Sequence, residues 1–443
     1  MSLSEDIRYL RSKRLDEEQG TRQDFRSPFQ RDYGRLIHSP AFRRLQGKSQ
    51  VFGAGSGDYF RTRLTHSVEV AQIARQVAYK LLNEYEDLLK WPKNAGLTID
   101  PEVVECAALA HDLGHPPYGH KGEHVLDTLL KEYGLHYEGN AQNFRILMFL
   151  EKRTGNRNGL NLTAAVLLAI NKYPYEIGKD GRKKGLYSTE WEQIKSLRDE
   201  WGIPLEKRTL EAQLMDLCDD IAYSTHDIED GIKAGKINIT SDLSRDTKLI
   251  QGIVEEIEKE AEKYGSVWHK VDIEKSVERI LKNYQDDWNR TFEESDRDIS
   301  RARRDMKATW VHSFATKVGI IKEEDWYKIT FVSDTKEDFE LLRQMIVFKK
   351  LAWVTMVKDL RVQRLQKRSE KVLKDLWSVF MEESKDAKDI IPIDWYQRYL
   401  ENRHNWRWQR VIADYLAGMT DSYAEKIHGE LFGSKVGSIY EME

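Results

Sequence analysis

Cysteine is nearly absent: Cys106 and Cys218 are the only two in 443 residues. That excludes a disulfide framework and a thiolate zinc site, and it suits a reducing compartment. Long apolar runs are missing too. No stretch of about 18 apolar residues occurs, so no transmembrane helix is expected. The polar, charged start from Met1 to Gly20 lacks the apolar segment of a secretion signal. These absences predict a soluble, cytoplasmic chain with no membrane association. Neither sign of charge dominates: 70 Lys and Arg face 74 Asp and Glu, a net charge of -4 that does not steer the whole chain toward nucleic acid. No Gly-x-x-x-x-Gly-Lys-Ser/Thr loop is present, and no Gly-x-Gly-x-x-Gly opens a βαβ unit. Phosphate chemistry, if any, has to rest on metal and histidine.

Proline is scarce, with nine in the chain, and strand-like alternation is rare. Long helical periodicities therefore predict an all-α fold with at most a short β-hairpin. The short strand candidates lie at Ser49–Phe52 and Ile329–Val332. We read residues 1–24 as a polar arm, 25–240 as the core and 241–443 as a helical C-terminal region that completes the domain and is expected to carry an oligomer interface. The Gly-rich segment Gly53–Asp58 reads as a turn, and Gly178–Gly185 as a solvated loop.

One helix is expected from about Thr65 to Tyr85, with the stripe Val70, Ile73, Val77 and Leu81 facing inward. His66 falls four residues before Val70, on the same stripe. A second helix starts at Asp100-Pro101, an N-cap followed by proline at the first helical position. Its stripe of Val104, Ala107 and Ala108 leads to His111. It must stop near Gly114, because Pro116 and Pro117 cannot continue it.

His66, His111 and Asp112 give an imidazole-rich donor set with one carboxylate. Such a set suits Mn, Mg, Fe, Ni or Zn with open positions for water, and the sequence does not choose among them. The competing reading of each histidine is a satisfied core residue; the run Ala110-His111-Asp112-Leu113-Gly114-His115-Pro116-Pro117 weighs against it. A helix from about Thr209 to Ile232 offers Asp216, Asp219, Asp220 and Asp227 as a fourth donor, and periodicity leaves that choice open. His120 and Glu123, three apart at a helix start, share one face. They read equally as an acid–base pair or as a capping interaction. Arg63, Lys121 and Lys172 are cations close to these groups and suited to phosphate oxygens.

Together these residues resemble the HD-domain phosphohydrolases, and within them the deoxynucleoside triphosphate triphosphohydrolases, often called dGTPases. The matching stretches are Arg43–Phe52, Arg61–Ser67, His111–His120, Glu138–Arg145, Gly159–Thr163, Lys172–Pro174 and Asp219–Asp227. They span roughly residues 40 to 230; the C-terminal half matches loosely. The resemblance implies hydrolysis of a deoxynucleoside triphosphate (dGTP or several dNTPs) to deoxynucleoside and triphosphate, by water attack at the α-phosphorus. It implies His66, His111, Asp112 and Asp219 as ligands of a divalent metal ion, and His120 with Glu123 as the catalytic pair. Arg63, His115, Asn161, Lys172 and Tyr173 would contact the triphosphate; Gln50, Tyr223 and Asp227 would contact the sugar. It also implies a homo-oligomer, commonly a hexamer. Activation by a nucleotide stays open.

Two alternatives are carried forward. One is a phosphohydrolase of the same superfamily acting on nucleoside monophosphates or cyclic nucleotides. The other is a single-stranded nucleic-acid-binding protein with a vestigial site, with single-stranded DNA as a possible partner, using the basic segments around Arg361–Arg368 and Arg403–Arg410.

Overall fold

The structure, a computed structural model, describes residues 3–16, 24–50, 60–90, 92–153, 157–260, 266–334, 336–357, 360–381, 390–402 and 407–433. The architecture is helical with very little sheet, as the periodicities predict. The elements that build the site are α1 (Leu3–Ser12), α2 (Arg63–Glu84), α3 (Pro101–Ala110), α4 (Gly119–Lys131), α5 (Leu210–Lys233), α6 (Phe339–Ala352), α7 (Leu360–Met381), α8 (Trp408–Gly418) and α9 (Asp421–Phe432). Strands β1 (Lys152–Arg153) and β2 (Arg157–Asn158) make a minimal ribbon. Strands β3 (Val318–Glu323), β4 (Trp326–Ser333) and β5 (Lys336–Glu337) form an antiparallel sheet in which Ile320 pairs with Ile329. The expected strand at Ile329–Val332 lies inside β4. At the other candidate, Ser49 makes a single bridge to Thr62, while Val51, Phe52 and the Gly53–Asp58 turn lie outside the described residues.

Local chemistry sets the helix ends. Thr62 caps α2 by accepting from the Thr65 amide, and Thr65 returns the bond to the Thr62 amide. Asp100 caps α3 with Pro101 at its first position. The stripe Val70, Ile73, Val77 and Leu81 is buried throughout, and α2 packs along α3. Helix α5, capped by Thr209, lies across both and buries Leu210, Leu214, Ile221 and Ile228.

Two large hydrophobic cores form among the described residues, beside a small cluster of Ala141, Ile177 and Tyr187. The first runs from Ile7 through α2, α3 and α5 to Met356, with no break in packing near residue 240. The second joins Leu126 and Leu130 of α4 to Leu376 and Phe380 of α7, Ile412 and Leu416 of α8, and Ala424 of α9. Helix α4, which begins the catalytic candidates at His120, is therefore seated by the C-terminal helices.

The polar segment 1–24 is not an extended arm over its described part. Leu3–Ser12 is helical, and Arg11 donates to Glu211 Oε1 at 2.6 Å and Oε2 at 3.1 Å. Arg14 pairs with the buried Asp32 at 2.6 Å. Buried carboxylates left without these cations would cost several kcal/mol, on the order of 3–5, and that ties the segment down.

Burial of the Phe380 ring is complete. Phe380→Ala should destabilise the chain by about 3–5 kcal/mol. Urea unfolding followed by circular dichroism checks this; an unchanged midpoint would contradict the second core.

Candidate metal centre and cleft

Four side chains from three helices and one turn meet at the floor of a cleft. His66 comes from the second turn of α2, His111 caps the C-terminus of α3, Asp112 follows it, and Asp219 projects from the middle of α5. The turn after α3 is tightly strapped. Asn143 donates to the His111 carbonyl, and the Gly114 amide donates to Asn143 Oδ1 at 2.5 Å. Gly114 allows this approach: a Cβ there would meet the Gly139 carbonyl oxygen at 2.1 Å.

His111 Nδ1 lies 2.6 Å from the Ala108 carbonyl. A carbonyl only accepts, so Nδ1 carries a proton and Nε2 is the nitrogen that faces the two carboxylates. His111 Nε2 stands 3.3 Å from Asp219 Oδ1 and 3.4 Å from Asp112 Oδ1, buried and without an aligned hydrogen bond. His66 Nε2 lies 3.1 Å from the same Asp219 oxygen, and the two imidazoles are 5.5 Å apart between centroids. The donor atoms of His66, His111 and Asp219 all fall within 4.8 Å of one another.

Both carboxylates divide their oxygens in the same way. Arg63 donates to Asp112 Oδ2 at 2.7 Å, leaving Oδ1 toward His111 and His115. Lys172 donates to Asp219 Oδ2 at 2.6 Å, leaving Oδ1 toward His66 and His111. Burial opposes ionisation of Asp112, but His111, His115 and Arg63 outweigh it and hold the group well below the ordinary carboxylate range. Burial likewise opposes ionisation of Asp219, and Lys172 and His111 outweigh it. Two carboxylate oxygens and two imidazole nitrogens thus converge on one point. A divalent cation fits that donor set.

Beside this centre, His120 Nδ1 meets Glu123 Oε2 at 3.0 Å, and Glu123 Oε1 accepts from the Gly139 amide at 2.8 Å. Burial would raise the Glu123 carboxyl, but His120, His115 and Gly139 bring it down to about 2, so it is anionic at neutral pH. The His120 side chain is 70% exposed, which leaves its other ring nitrogen open to the cleft. His115 packs edge-on against it, 5.2 Å between centroids. Burial and the nearby Arg63 push the His115 imidazolium down to about 4, so this ring is neutral. His115, His120 and Glu123 also form a second set of donor atoms within 4.8 Å.

The cleft has a volume of about 1010 Å³, and its wall includes Gln50, Arg63, His66, Asp112, His115, His120, Lys172, Tyr173, Asp219 and Tyr223. Gln50 turns a buried, unpaired Oε1 into the structure around it. Asp227 sits one turn beyond Tyr223, buried, with Oδ2 unpaired; burial and the nearby Asp230 raise its carboxyl well above the ordinary range. Asn161 is not brought to the cleft. Its amide pairs with the backbone of Asp16 at 3.0 Å in both directions, and its carbonyl accepts from Arg35 at 2.7 Å. It anchors the N-terminal segment instead.

Lys184 is a cleft residue that the sequence reading missed, because Gly178–Gly185 reads as a solvated loop. Its ammonium donates to the Tyr173 hydroxyl at 2.9 Å and lies 4.7 Å from that ring's centre. Every other Lys or Arg on the described wall is paired with a carboxylate: Lys121 with Glu370, Arg208 with Asp216, Lys349 with Asp220, Lys350 with Glu260 and Arg368 with Glu425, besides Arg63 and Lys172. Among the basic C-terminal residues, Lys367 pairs with Glu370, while Arg407 and Arg410 donate to the Tyr133 and His136 carbonyls. The side chain of Arg361 and residues 403–406 lie outside the described residues.

Comparison with known proteins agrees with this geometry. The HD domain matches residues 63–224, and the phosphohydrolase-associated domain matches residues 337–430. The chain is 32% identical to a deoxyguanosinetriphosphate triphosphohydrolase-like protein of Shewanella woodyi, with 97% of each chain covered. Proteins of the same description from Shewanella halifaxensis and Shewanella pealeana are 31% and 32% identical, again over 97% of each chain. The HD core holding His66, His111, Asp112 and Asp219, the associated C-terminal region and the full-length relatives lead to one conclusion: the chain belongs to the HD-domain phosphohydrolases, in the deoxyguanosinetriphosphate triphosphohydrolase-like family.

Proposed function

We propose that the protein hydrolyses a deoxynucleoside triphosphate, dGTP or several dNTPs, to deoxynucleoside and triphosphate. The observation that carries this reading is the shared design of Asp112 and Asp219, each with one oxygen on a cation and one on the histidines, at the floor of a cleft also lined by His120. His66, His111, Asp112 and Asp219 would hold one divalent ion. When bound, such an ion polarises a phosphoryl oxygen and lowers the pKa of water.

The chain's own residues supply the rest. Lys172, Tyr173 and Lys184 line one wall together and would take the triphosphate, with Arg63 and His115 nearer the centre. Lys184 gives up only a neutral phenol to do so. Water adds to the α-phosphorus and the bond to the 5′ oxygen breaks. His120, oriented by the anionic Glu123, gives a proton to that oxygen and regains one from the attacking water, whose hydroxyl leaves as part of the triphosphate. Preorganised charge and position are what this transfer needs. Tyr223 and Gln50 on the wall, with Asp227 behind, would contact the sugar.

A cleft of about 1010 Å³ exceeds the needs of a nucleoside monophosphate. The DNA-binding reading draws no support from Lys367, Arg368, Arg407 or Arg410, which are engaged within the chain.

Each dNTP, supplied separately and in mixtures with Mg or Mn, should yield deoxynucleoside and intact triphosphate by chromatography; orthophosphate or pyrophosphate as the sole inorganic product would sink the reading. His111→Ala should lose both bound metal and turnover. His120→Ala should keep the metal, at one ion per chain by elemental analysis, and lower kcat by about 10²–10⁴-fold. Loss of an ion in His120→Ala would instead make His115, His120 and Glu123 a second metal site.

A further inference from the structure

The loop that carries His115 to His120 has one internal backbone bond, from the Gly119 amide to the Pro116 carbonyl at 3.2 Å, and is strained beside it. Tyr118 has a φ of 65°, a left-handed conformation that is strained for a residue with a Cβ, and Gly119 follows at 59°. Tyr118 stands at the N-cap of α4 without a side-chain capping bond. What fixes it comes from the far end of the chain. Asp421, in the first turn of α9, accepts from the Tyr118 amide at 2.9 Å with Oδ1, and from the Ser49 amide at 3.1 Å with Oδ2. The Ser49 hydroxyl adds a further bond to the same Oδ2. Lys48, almost fully buried, donates to the His115 carbonyl at 2.6 Å and to the Ala417 carbonyl at 2.8 Å. The two segments lie in close contact: a Cβ on Gly47 would meet the Thr420 side chain at 2.7 Å.

We propose that Asp421 and Lys48 are positioning residues, a clamp by which the α8–α9 junction holds the His115–His120 loop in its strained conformation and so aims His120 at the cleft. The residues of the clamp bind the loop's backbone, so they act through geometry. A hydrogen bond from a backbone amide to a buried carboxylate is among the stronger ones available. A displacement of about 1 Å at a reacting group costs up to about 100-fold in rate.

The kinetic arm of the test rests on the proposed dNTP hydrolysis; the exchange arm does not. In Asp421→Ala, kcat should fall about tenfold to hundredfold with KM and metal content unchanged. Amide hydrogen exchange in the peptide covering 115–121 should speed up, while α2 and α3 keep their protection. Asp421→Asn, which keeps one acceptor oxygen but turns an amide toward the Ser49 group, should be intermediate in both. Wild-type kcat and wild-type exchange in the loop would overturn the clamp. If Asp421→Ala does not fold, Asp421→Asn decides: intermediate exchange and kcat at an unchanged Tm support it, and wild-type values overturn it. If the unmodified chain turns over no dNTP, the exchange arm still judges the clamp and the functional reading fails separately.

Discussion

Charge balance between two carboxylates, one buried and one partly exposed, and two imidazoles governs this molecule. Asp112 and Asp219 are held anionic out of bulk water by Arg63 and Lys172, while their second oxygens face His66 and His111. Such an arrangement stays together only if three separate helices keep their register. The α2–α3 packing, the cap on His111 from Ala108 and the crossing of α5 are the means. Removing Arg63 would leave the buried Asp112 anion without its cation, a loss on the order of 3–5 kcal/mol.

The C-terminal region serves this centre from outside. It seats α4 through the second core, so the start of the helix bearing His120 and Glu123 is fixed by residues roughly 250–300 positions away in sequence. Asp414 accepts from Gln142 and Arg145, which steadies the segment whose Asn143 straps the His111 turn. One part of the chain supplies the charges; the other limits where they can point. A phosphohydrolase-associated segment matched at residues 337–430 is consistent with that division of labour.

Much of this was legible in the sequence, and the limits have physical causes. His66 and His111 could be placed because both fall on apolar helical stripes, and the α3 terminus followed from Pro116 and Pro117. Periodicity could not rank Asp216 against Asp219, since both lie on one face of α5 and both line the cleft. Only tertiary contacts separate them: Asp216 is taken by Arg208 at 2.6 Å, whereas Asp219 faces both histidines. Asn161 was assigned to the triphosphate by position in a resemblance, which transfers a place in the chain and not a side-chain partner; Asp16 holds it elsewhere. Lys184 sat in a Gly- and Lys-rich stretch that looks solvated, and Asp421 and Lys48 act across more than 300 residues, beyond any local pattern.

The central claim is that this centre directs water to the α-phosphorus. Hydrolysis of dGTP, or of whichever dNTP is turned over, in water enriched in ¹⁸O tests it most directly, with both products read by mass spectrometry. One ¹⁸O per turnover in the triphosphate and none in the deoxynucleoside is the predicted result. Label in the 5′-hydroxyl of the deoxynucleoside, or in released orthophosphate, would contradict it.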